Sequence, residues 1–106
     1  MPKYLIQGNY TAEGAKGLLK DGGSKRVRAA KAAIKAVGGK VEAMYFAFGG
    51  TDVLVIVDAP DNASMTALSL TVAGTGALAI KTTVLLTPEE VDEASKKAVT
   101  YSPPGA

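Results

Sequence analysis

The sequence predicts an α+β domain with a split βαβ arrangement, and three observations carry that prediction. Short runs rich in Val, Ile, Leu and aromatic residues alternate with stretches whose apolar residues recur every three or four positions, in the order strand, helix, strand, strand, helix, strand. Glycine or proline clusters separate most of these runs. The chain has 106 residues, 47% of them hydrophobic and 21% charged. That is the length and composition of one ordinary globular domain.

Residues Lys3 to Tyr10, with Tyr, Leu and Ile around a central Gly, read as the first strand, and Thr11 is placed to cap the first helix. Thr11 to Lys20 is helical in pattern but contains Gly14 and Gly17. Each costs up to about 1 kcal/mol relative to Ala, so this helix is expected to be weak or irregular. Asp21-Gly22-Gly23-Ser24 breaks the chain, with Ser24 suited to cap a second helix over Lys25 to Val37. There Val27, Ala30, Ile34 and Val37 form an apolar stripe, while Arg26, Arg28, Lys31 and Lys35 fall elsewhere. Gly38-Gly39 supplies the stop.

Lys40 to Phe48 and Asp52 to Asp58, separated by Gly49-Gly50-Thr51, read as an antiparallel hairpin. Pro60 ends the second of these strands, and Asp61 caps a helix whose Met65, Leu68 and Val72 share a face. Ala77 to Leu86 then resumes strand character, with Ile80, Thr82 and Val84 on one side. Thr87-Pro88-Glu89-Glu90 combines a cap, a proline at the first helical position and a glutamate at the third, a strong start for a short C-terminal helix. Residues 1–99 are read as a single domain and 100–106, with Pro103-Pro104-Gly105, as a flexible tail.

This order is that of the ferredoxin-like fold, a four-stranded antiparallel sheet with helices on one face, here with the short extra helix. Helices cover one sheet face only. In the hairpin, Met44, Phe46 and Phe48 alternate with Ala43, Tyr45 and Ala47, and Leu54 and Ile56 alternate with Val53, Val55 and Val57, so both faces carry apolar side chains. A wet face shows polar alternation, and a large exposed apolar patch marks association. The chain is therefore expected to form a homodimer or higher homo-oligomer, sheet against sheet or as a shared barrel, with the C-terminal helix helping the join.

Residue types that are missing narrow the chemistry. With no Cys, His or Trp, the chain has no disulfide, no thiolate or imidazole metal site, no Ser/His/Asp triad and no histidine acid/base pair. No metal and no cofactor is expected. Charge is split along the chain: residues 1–40 hold nine basic and two acidic side chains, a balance of +7, and residues 41–106 hold three and eight, a balance of −5. Such asymmetry suits two faces that attract each other, or an anionic partner. Asn62 to Ile80 carries no charge, but its scattered Ser and Thr and the glycines Gly74 and Gly76 favour a helix running into a strand over a membrane span. No targeting leader is evident at Met1-Pro2-Lys3-Tyr4, so a cytoplasmic location is expected.

The stretches Lys3-Tyr4-Leu5-Ile6-Gln7-Gly8-Asn9-Tyr10-Thr11, Gly17-Leu18-Leu19-Lys20-Asp21-Gly22-Gly23-Ser24, Tyr45-Phe46-Ala47-Phe48-Gly49-Gly50-Thr51-Asp52, and Lys81-Thr82-Thr83 before Leu86-Thr87-Pro88-Glu89-Glu90-Val91 together resemble the GYD domain family of small bacterial proteins, over about residues 1 to 93. The family's Gly-Tyr-Asp tripeptide corresponds to Gly50, Thr51 and Asp52, with threonine where the family has tyrosine. The resemblance implies a ferredoxin-like fold related to the dimeric α/β barrels, and it implies no particular activity.

Two constellations are candidate sites. The first is a pocket at the hairpin turn, with Asp52 at its mouth and Asn9, Tyr10, Tyr45, Phe46, Phe48 and Lys81 around it. The plainest role of Asp52 is to accept backbone hydrogen bonds in the turn. The second is an anion cradle formed by Gly22, Gly23, Ser24, Lys25, Arg26 and Arg28, where free N–H groups meet basic side chains at a helix start. It is not a nucleotide P-loop, since the position that requires Lys is Gly23. The basic helix lacks interleaved aromatic residues, so nucleic acid is not the expected partner. The resemblance brings in relatives that include cofactor-independent monooxygenases and haem-degrading enzymes, whose sites use Asn, Trp or His; Trp and His are missing here. The sequence thus reads as a small-molecule-binding or assembly module. The alternative is a cofactor-independent oxidoreductase or isomerase.

Overall fold

A computed structural model describes all 106 residues. In chain order the eight elements are β1 (Lys3–Tyr10), α1 (Ala12–Asp21), α2 (Gly23–Ala36), β2 (Lys40–Phe46), β3 (Val53–Asp58), α3 (Asn62–Gly74), β4 (Leu78–Leu85) and α4 (Pro88–Ser95). The strands form one antiparallel sheet in the order β2-β3-β1-β4, the ferredoxin-like arrangement that the element order predicts.

Period-two alternation sorts the sheet into two faces. In β1, Tyr4, Ile6 and Gly8 are buried and pair with Val57, Val55 and Val53 of β3, also buried. These residues, with Ile34 of α2, Ala59, and Met65 and Leu68 of α3, are the buried core. The Tyr4 hydroxyl donates to Asn62 Oδ1 at 2.6 Å, tying the central strand to the start of α3. Asp61 caps α3 by accepting from the Ser64 amide at 2.8 Å. At the other end of the chain, Thr87 and Glu90 make both bonds of the capping box.

Against the expectation of an irregular first helix, α1 is a continuous helix of ten residues. Its docking explains the glycine. Thr11 donates its amide to the Ala77 carbonyl at 3.0 Å and its hydroxyl to the Gly76 carbonyl at 2.7 Å, pinning the helix start against the turn before β4. A Cβ at Gly14 would run into the Ala77 carbonyl, so the glycine permits a close approach that offsets its poor helix propensity.

The start of α2 also differs from expectation. Gly22, at φ 78°, is both the end of α1 and the N-cap of α2, and Ser24 lies inside the first turn with no side-chain capping bond. The positive φ lets two helices meet at a single residue. The hairpin strands are shorter than read, ending at Phe46 and restarting at Val53, so Ala47, Phe48 and Asp52 lie in the connection. Asp52 nonetheless prolongs the ladder through its backbone: Ala47 N–H donates to its carbonyl at 2.8 Å, and its own N–H donates to the Gly8 carbonyl at 2.9 Å.

Helix α2 lies over β2 and α3 over β4, and no residue of α4 is buried. The radius of gyration is 17.0 Å, against about 13 Å for a compact chain of this length. No helix is long and apolar enough to cross a membrane; the uncharged segment is a thirteen-residue helix followed by a strand.

The two glycines of α1 are expected to respond in opposite directions. Gly14→Ala will lower the denaturation midpoint because of the Ala77 carbonyl. Gly17, with nothing within 4 Å of a built Cβ, will gain about 0.4–1 kcal/mol when changed to Ala. Urea unfolding of the two variants checks both signs.

Candidate functional site

Because α2 and α3 sit over opposite edges of the sheet, the central strands face a gap between them. Small side chains keep it open: α2 presents Ala29, Ala30 and Ala33 there, and α3 contributes Leu68 and Val72. The floor is Ile6, Val53 and Val55, flanked by Met44, Leu78 and Ile80. The result is a partly enclosed cavity of about 130 Å³ whose fourteen lining residues include one charge, Arg26, with Tyr10 beside it.

The three ion pairs of the fold are Lys3 with Glu42 and Asp58, at 3.1 and 2.9 Å, and Lys25 with Asp21, at 3.5 Å. Arg26 takes part in none of them. Half-buried at the cavity, it is a cation without a carboxylate. Burial pushes the Tyr10 phenol above its ordinary value of 10.0, while the Arg26 guanidinium pulls against that and Asp52 adds to it. Lys3 is held above 10.5, first by Asp58 and then by Glu42.

The predicted hairpin pocket divides into separate places. Tyr10, Phe46 and Asp52 come together with Leu18 and Gly23 in an open cleft next to the cavity. Asn9 and Lys81 lie on the other side of the sheet, with Gln7, Gly50 and Thr51, in a shallow depression. Tyr45 is 71% and Phe48 98% exposed, and neither lines these recesses. Asp52 accepts from the Tyr10 amide at 2.9 Å, so its carboxylate reaches across to β1 instead of closing its own turn.

The predicted anion cradle divides as well. Arg26 lines the cavity, Lys25 turns back to Asp21, and Ser24 and Arg28 are exposed. Gly22 is the cap, and Gly23 sits against the Phe46 ring, where a Cβ would be 3.3 Å from Cε2. Ala30 lies on the apolar stripe of α2, and a stripe by itself shows no cavity beside it. The available signal was the run of alanines at 29, 30, 32 and 33, too short to fill the space between a helix and a sheet.

In Arg26→Gln, the Tyr10 pKa will rise further, as read by pH titration of its ring signals. The folded chain holds the Tyr10 proton beyond pH 10.0 and the Lys3 proton beyond 10.5, where the unfolded chain releases them. Stability therefore declines as pH rises through those windows. In Arg26→Gln the part due to Tyr10 extends to higher pH.

Over residues 4–95 the sequence matches a family of known domains, described as the GYD domain. No curated protein and no solved structure matches the chain significantly.

Proposed function

The chain belongs to the GYD domain family, and we propose that it works there as a small-molecule-binding module assembled as a homo-oligomer. The apolar cavity between α2 and α3 carries the binding half of this reading. Ligand sites are concave, mostly apolar and supplied with a few polar groups that set orientation, and Tyr10 and Arg26 are such groups at this cavity. Its volume of about 130 Å³ is close to that of a dry cavity that takes benzene, about 150 Å³.

The uncovered sheet face supports self-association. Leu5, Leu54, Ile56 and Ala43 are only partly buried there, and Tyr45 is exposed beside them. Helix α4 supports it too, since its capping box keeps it helical although nothing in its own domain covers it. Its Glu89, Asp92 and Glu93 complement the basic Lys31 and Lys35 of α2 in another copy.

The alternative, a cofactor-independent oxidoreductase or isomerase, draws on Tyr10 and Asp52, which adjoin one cleft. The Asp52 carboxylate, however, is engaged by a backbone amide, a bond that holds the loop.

Benzene is expected to raise the thermal midpoint of the native chain and to leave that of Ala33→Phe, in which the cavity is filled, unchanged; equal responses would overturn the binding reading. Light scattering at micromolar concentration is expected to give a dimer or larger species, and Leu54→Lys to shift it toward monomer. A clean monomer in the native chain sinks the assembly reading.

A further inference from the structure

We infer that the cavity takes a small carboxylic acid as its anion, the apolar body lying between α2 and α3 and the carboxylate received by Arg26. The inference rests on the reading of this cavity as a small-molecule site and adds the charge and size of what enters it.

Three features of the site point to that class. The first is that Arg26, which sits against the Tyr10 hydroxyl, has no carboxylate partner. Every other residue lining the cavity is hydrophobic or the phenol of Tyr10, and Arg26 forms no ion pair within the chain. A guanidinium is planar, always charged, and suited to bidentate contact with a carboxylate. The second is the charge count. Lys25 is paired with Asp21, Arg28 is exposed and outside the lining, and Asp52 occupies the adjoining cleft. One cation without an ion-pair partner, with the Asp52 carboxylate in the adjoining cleft, suits a monoanion and disfavours a phosphate dianion, which calls for several donors and positive charges. The third is size. A cavity of about 130 Å³ suits a ring or a short branched chain. Tyr10, a phenol and therefore protonated at neutral pH, retains an O–H donor beside the guanidinium.

The test uses the whole chain with two probes of the same shape, benzoate and uncharged benzamide, titrated at low salt and followed by calorimetry and by the methyl signals of Leu68 and Val72. Benzoate is expected to bind about tenfold or more tightly than benzamide. Arg26→Gln is expected to abolish that preference, benzoate affinity falling far more than benzamide affinity, Arg26→Lys to keep part of it, and Arg28→Gln to keep all of it. Equal affinities in the native chain, a preference that survives Arg26→Gln, or an equal loss in Arg28→Gln would each overturn recognition of the anion by Arg26 while leaving the cavity a site for neutral molecules. Silence of the Leu68 and Val72 methyls toward benzoate, benzamide and benzene alike overturns the cavity reading itself. If Arg26→Gln does not fold, the native benzoate-to-benzamide ratio and its change in Arg26→Lys decide the matter.

Discussion

The pairing of β1 with β3 at the centre of the sheet is the constraint on which the rest of this structure depends. Tyr4 opposite Val57, Ile6 opposite Val55 and Gly8 opposite Val53 place six buried residues on one face in a single register. A slip of β1 by one residue would turn Leu5 and Gln7 toward the helices and Tyr4 and Ile6 toward the other face. The Tyr4 hydroxyl bond to Asn62 and the Asp61 cap then set where α3 begins above that face. Fixing α3 leaves α2 to cover the opposite edge, and a gap between the two helices results.

That gap is a packing outcome. Interiors normally fill to the density of organic crystals, and here alanines at 29, 30 and 33 stand where larger residues would close the space. The cavity therefore lies on the buried side of the sheet, over the same strands that make the core, and its polar lining is Tyr10 at the end of β1 and Arg26 in the first turn of α2. Core and cavity thus share residues: Ile6, Val53 and Val55 are core and cavity floor at once. The opposite sheet face has no helical cover, and Leu5, Leu54 and Ile56 are only partly buried there.

The fold was legible because its signals are local. Strand alternation in Lys3 to Tyr10, the stripe Met65, Leu68 and Val72, and the Thr87 to Glu90 start each depend on a few neighbouring residues, and each occupies its expected place. The misreadings were long-range. Gly14 and Gly17 read as weakness in α1, yet Gly14 is required by the Ala77 carbonyl, sixty-three positions along the chain. Ser24 read as a cap, but Gly22 took that place because α1 continues to Asp21 and leaves one residue for the joint. Phe48 read as pocket lining, and the hairpin ends two residues before it.

By itself, the sequence determined the α+β class, the strand and helix order, the caps at Asp61 and Thr87, and the absence of thiol and imidazole chemistry, because period, cap chemistry and composition are properties of short segments. Tertiary structure alone decided that Arg26 belongs to a cavity while Arg28, two residues on, is exposed, and that Asp52 bonds to Tyr10 while Lys81 lies on the far side of the sheet. The physical reason is the same in each case. Whether a charged side chain meets solvent, an ion pair or an apolar recess depends on which elements pack over it, and that is settled only when helices from distant parts of the chain come to rest on one face of a common sheet.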